Sequence, residues 1–187
     1  MFCSFHLGDF RAVIALPTLG FVVKLPRVQL YNLGRLVHDE FTRHTFRIGL
    51  QRLIKSYLKR DIETHWSPKR FLYKGLVDNW REWRFSQTFD HPLLAKTYFW
   101  IGGMTIQAYA APLPFEVENT YEGIMDFARR FTPIIGTRIM RDAHHFQNPL
   151  NFGVINGHLV IVDYASEKVQ SILQECADDL LRDFPLT

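Results

Sequence analysis

The 187-residue chain is 47% apolar and 22% charged, with a net charge of +3 and only two cysteines, Cys3 and Cys176. These values exclude a disordered chain and a disulfide or cysteine-metal framework. No run approaches the roughly 18 apolar residues of a membrane span, and the opening MFCSFHLGDF lacks a signal peptide's basic flank and apolar core.

The expectation is therefore a cytoplasmic protein without membrane contact, whose sixteen Phe pack an aromatic interior. The charge is uneven: residues 27–74 hold eleven Lys/Arg against four Asp/Glu, and the remainder eleven against fifteen.

Arg11 to Leu16 (RAVIAL) and Phe21 to Leu25 (FVVKL) are β-branched runs separated by Pro-Thr-Leu-Gly, which predicts a hairpin. Lys24 lies late in the second run among apolar residues, so it either snorkels to solvent or meets an anion. From Val28 to about Val77, apolar residues recur at three- and four-residue spacing, predicting two basic amphipathic helices that break near Thr42 to Phe46, then a loop at Ser67-Pro68. Their basic face is a solvated surface or a docking site for an acidic partner, protein or nucleic acid, although no nucleic-acid-binding motif accompanies it.

A further helix is expected from Asp78, taken as its N-cap, and His91-Pro92-Leu93-Leu94 ends it. Thr97 to Trp100 and Met104 to Ala108 predict a hairpin turning at Gly102-Gly103, and Pro112 and Pro114 mark a boundary. Tyr121 to Phe131 reads as a helix capped by Asn119 or Thr120. The stretch MRDAHHFQNPLNFGVINGHLVIVDYA, residues 140–165, then brings Asp142, Asn151, a turn at Asn156-Gly157, a β-branched run and Asp163 into one segment. Val169 to Phe184 predicts a final amphipathic helix. Adjacent His144 and His145 seldom share one ion, so hydrogen bonding is expected of them. No nucleophile-elbow or metalloprotease pattern occurs.

The order of Lys24, an acidic helix, two strands, Asp142, Asn151 and Asp163-Tyr164 resembles the protein-kinase-like fold. The resemblance implies an α+β, bilobal domain: a small lobe over residues 1–110 with a helical insertion at about 28–77 and an αC-like helix at about 78–89, and a truncated large lobe over 111–187. It implies a nucleotide ligand, with ATP and Mg²⁺ as cofactors and phosphoryl transfer to an unidentified acceptor; the alternative is a pseudokinase-type module acting through its basic insertion. Lys24 is expected to hold phosphate, paired with Glu82 (Glu40 being the rival), and the run Gln107 to Pro112, with Gln107, Ala108 and Tyr109 foremost, to meet the adenine through backbone amide and carbonyl. Asn151, or else Asn148, and Asp163 are expected to bind the metal, and Asp142 to orient the acceptor hydroxyl. Ala165 stands where the family has Gly.

Overall fold

The computed structural model describes residues 3–184 and shows a mixed α+β chain built on an antiparallel sheet. The strands are β1 (Ser4–Leu7), β2 (Arg11–Leu16), β3 (Phe21–Pro26), β4 (Thr97–Ile101) and β5 (Met104–Ala108), in the order β1-β2-β3-β5-β4. Both expected hairpins are present, and β1, whose four residues are all exposed, adds an edge strand that the pattern did not predict.

Between β3 and β4 come α1 (Leu30–Arg43), α2 (Phe46–Lys59) and α3 (Pro68–Thr88). The first two break where expected, at His44 and Thr45. The third corrects the sequence reading. It starts ten residues before Asp78, with Pro68 at its first turn, where a missing N–H costs nothing. Asp78 is thus not a cap but a mid-helix residue, paired with Lys74 at 2.7 Å across one turn. The proposed boundary between an insertion ending at 77 and a helix starting at 78 runs through one continuous helix.

That helix is held tightly against the sheet. Gly75 lies so close to the β1–β2 turn that a Cβ would come within 2.0 Å of the Phe10 carbonyl oxygen. Asn79 then donates from Nδ2 to the Lys24 carbonyl at 3.1 Å and to the Gly103 carbonyl at 2.7 Å, tying α3 to β3 and to the β4–β5 turn.

The chain continues through α4 (Tyr121–Arg129), capped by the Thr120 hydroxyl accepting from the Gly123 amide at 3.1 Å, then α5 (Thr132–Ile135), a 3₁₀ turn over Gly136–Arg141 and α6 (Ala143–Gln147). A two-stranded hairpin follows, β6 (Phe152–Ile155) and β7 (His158–Ile161), before α7 (Glu167–Asp183). Its turn places Asn156 and Gly157 at φ of 53° and 80°, the left-handed region that Asn and Gly tolerate. After Asp142 the chain forms the short helix α6 and a second 3₁₀ turn, over Pro149–Asn151.

The largest apolar cluster gathers Phe127, Phe131, Phe146, Phe152 and Phe184 with one face of α7 (Val169, Ile172, Leu173, Cys176, Leu180). It joins the five-stranded sheet through the 93–95 segment: the Ile161 amide donates to the Leu93 carbonyl at 2.7 Å, and the Ala95 amide to the Ile161 carbonyl at 3.0 Å. Tyr164 adds a polar rivet. Its hydroxyl lies 2.8 Å from both the Thr97 hydroxyl and the Ala95 carbonyl, and burial pushes its pKa up to about 12.

Candidate functional site

Two-residue alternation along β2 and β3 puts Arg11, Val13, Ala15, Val22 and Lys24 on one wall of a cleft of about 950 Å³. The opposite wall includes Asn151 and Asp163, and the far end is the segment after β5. At the inner end four charges form a chain. Lys24 Nζ lies 2.8 Å from Glu82 Oε2 and 2.5 Å from the Val162 carbonyl oxygen. Arg11 Nη1 lies 2.6 Å from Glu82 Oε1, and its Nη2 2.7 Å from Asp163 Oδ2. The structure therefore pairs Lys24 with Glu82, while Glu40 sits on α1 beside Arg52 at 3.0 Å.

Arg11 is the member that sequence reasoning missed. Its signal was present: it opens the RAVIAL strand and shares a period-2 face with Val13, which is registered directly opposite Lys24. Nothing local says that the face is buried, so the arginine reads as an ordinary strand-end charge.

Burial drives the electrostatics. Lys24 and Glu82 are 6% and 0% exposed at their side chains, and desolvation pushes the lysine's pKa down and the glutamate's up against their mutual attraction. Burial would also raise Asp163, but the Arg11 guanidinium overcomes it and holds that carboxyl well below the usual range. At Arg11 itself, desolvation is outweighed by Asp163 and Glu82, so the guanidinium is held charged.

His145 on α6 is buried, and its Nε2 has no hydrogen-bond partner. Burial lowers its pKa, and the opposing pulls of Asp163 and Asp142 do not restore it. Below the ordinary histidine value of about 6.5 the unfolded chain binds a proton that the folded chain refuses, so stability is lost as pH falls from there towards the folded pKa. The loss is at most about 1.4 kcal/mol per pH unit over that window. In urea titrations between pH 7.5 and 5, His145→Phe should flatten the slope relative to the wild type; parallel slopes would remove His145 from this role.

Several expected site residues are engaged elsewhere. The Gln107 side chain is buried and donates to the Ala95 carbonyl at 2.9 Å. The amides of Ala108, Tyr109 and Ala111 already donate to the carbonyls of Lys96, Gly20 and Val154. Only Ala110 in that run, which the expected hinge also included, gives its amide to no backbone carbonyl among the described residues. Asp142 lies outside the cleft lining and accepts from the Ser166 hydroxyl at 2.6 Å. The β1–β2 turn is pinned, not open: the Gly8 amide donates to the Arg11 carbonyl at 2.9 Å, and the Asp9 carbonyl accepts from Gln29 at 2.8 Å.

The residues expected to hold Mg²⁺ do not fit that ion as they stand. Asp163 is the cleft carboxylate in question, and a guanidinium already occupies one of its oxygens. Asn151 donates to the His145 carbonyl at 3.0 Å, and its oxygen faces the Asn148 amide at 3.3 Å. Among the described residues no group of three His, Cys, Asp or Glu side chains could hold a metal. No helix of the described residues is long and apolar enough to cross a membrane.

Comparison with known proteins places no relative beside this arrangement: no family model, no curated protein and no solved structure matches the chain.

Proposed function

We propose that the chain is a bilobal, kinase-like domain whose cleft binds a nucleotide, with the base at the Ala110 end and phosphate at the Lys24 end. The observation that carries this reading is the buried Lys24–Glu82 pair at 2.8 Å, facing Asp163 across a cleft large enough for such a ligand. A buried lysine held by a carboxylate has a fixed direction, which is what a phosphate site requires.

Of the two activities compatible with the fold, binding without turnover is favoured over ATP-dependent phosphoryl transfer. Asp142, the residue proposed to orient an acceptor hydroxyl, is turned to Ser166, and Asp163 is neutralised by Arg11. The partner of such a module is an acidic macromolecule docking on α2. That helix carries Arg47, Arg52, Lys55 and Lys59, no acidic residue, and exposed Phe46 and Leu58 near its two ends.

The test has two arms. Thermal shift with ATP should show stabilisation that Lys24→Met reduces by about tenfold or more in apparent affinity, the effect of removing one charged hydrogen bond to phosphate. Incubation with γ-labelled ATP should then release no phosphate and label no acceptor. Label transfer abolished by Asp142→Asn would restore the phosphotransferase reading, and transfer of α-label would assign AMP transfer instead. No stabilisation by any nucleotide would remove the proposal.

A further inference from the structure

We infer that Arg11 takes the place of a divalent cation in this cleft, so that the nucleotide binds without metal. This rests on the reading that the cleft takes a nucleotide, and it deepens that reading by naming the ionic form of the ligand. The observation is the position of the guanidinium, which bridges the two carboxylates that converge on the phosphate end, Glu82 at 2.6 Å and Asp163 at 2.7 Å, with only 13% of its side chain exposed.

Three physical consequences follow from that placement. A divalent ion on Asp163 would sit within a few ångströms of a fixed positive charge, and to avoid it Arg11 would have to leave Asp163 and remain buried against Glu82 alone. Arg11 cannot yield by losing its proton, because a guanidinium stays charged at any physiological pH. The donors left over suit an anion: two of five guanidinium N–H groups and two of three ammonium N–H groups of Lys24 are used by the contacts described, and the rest are available to phosphate oxygens.

The arrangement also sets the charge of the site. Within the four-charge chain Arg11 and Lys24 balance Glu82 and Asp163, one positive charge fewer than with a divalent ion in the arginine's place, and the cleft lining adds the carboxylates of Asp9, Asp78 and Glu116. Metal-free nucleotide is then bound through directed hydrogen bonds and not through a charge excess, so ADP should bind nearly as well as ATP. The pinned β1–β2 turn, whose Gly8 amide is already bonded, leaves these side chains as the principal phosphate donors on that wall.

The experiment is calorimetric titration of the full chain with ATP and with ADP, in EDTA and again with excess Mg²⁺. The expected result is binding in EDTA that excess Mg²⁺ does not tighten, the apparent affinity for ATP falling instead as the ion draws the nucleotide into its complex in solution. Mg²⁺ alone should leave the Tm unmoved. Arg11→Met should weaken binding in EDTA by about tenfold or more and make it tighten on adding Mg²⁺, because Asp163 is then free for the ion. Should that variant not fold, Arg11→Lys and the wild-type comparison still decide the matter. Wild-type binding that needs Mg²⁺ overturns this inference and leaves the nucleotide reading standing. No binding in either buffer overturns both.

Discussion

Glu82→Ala is expected to destabilise the chain by about 3–5 kcal/mol, the cost of breaking a buried ion pair by removing one partner. Glu82 is the shared acceptor of Lys24 and Arg11, and its side chain is wholly buried. The two cations do not suffer equally. Arg11 keeps Asp163 at 2.7 Å, whereas Lys24 is left with only the Val162 carbonyl and must either stay charged without a counter-ion or lose its proton.

Most of the penalty should therefore reside on Lys24, which a double-mutant cycle can read. Lys24→Met in the Glu82→Ala background should recover part of the loss, with a coupling of roughly 0.5–3 kcal/mol in urea unfolding. Strict additivity of the two single changes would show that the pair is not coupled. Nucleotide affinity should fall in Glu82→Ala as well, because the ammonium loses the contact that directs it.

The second large effect is expected from Phe131→Ala, at about 3–5 kcal/mol. Phe131 is wholly buried, and its ring lies 5.3 Å from Phe127, 5.2 Å from Phe146, 4.8 Å from Phe152 and 4.6 Å from Phe184, centroid to centroid. These neighbours come from α4, α6, β6 and the end of α7, so one cavity loosens the packing of four elements at once. For a chain of this length the Tm should fall by roughly 2–4 °C per kcal/mol. Phe99→Ala is the control: that ring is 57% exposed on β4, and its loss should stay within about 0.5 kcal/mol. Equal effects at the two positions would contradict the assignment of the core.

How much of this could be read in advance differs between elements for identifiable reasons. The hairpins around Lys24 and at Gly102-Gly103, the α1–α2 break and the final helix were legible because alternation, three-to-four spacing and turn residues are local signals. The start of α3 was misplaced because Asp78 is a favourable cap residue, while the true start relies on Pro68, a weaker mark. Which amide of the Gln107 to Pro112 run is left without a backbone partner was not legible for another reason. Whether an amide is free depends on which strand or loop lies beside it, and here the Lys96 and Gly20 carbonyls do.

By itself, then, the amino-acid sequence determined the mixed α+β character, the pairing partners available to Lys24 and the aromatic stock of the core, all of which follow from periodicity, turn chemistry and composition. Only the tertiary structure decided that Arg11 bridges Glu82 and Asp163, that Asp142 turns to Ser166, and that Ala110 holds the open amide. The physical reason is that a charge or an amide acquires its role from what desolvates it and what faces it. Arg11 and Glu82 are 71 residues apart along the chain, and Arg11 and Asp163 lie still farther apart, distances over which no spacing rule operates.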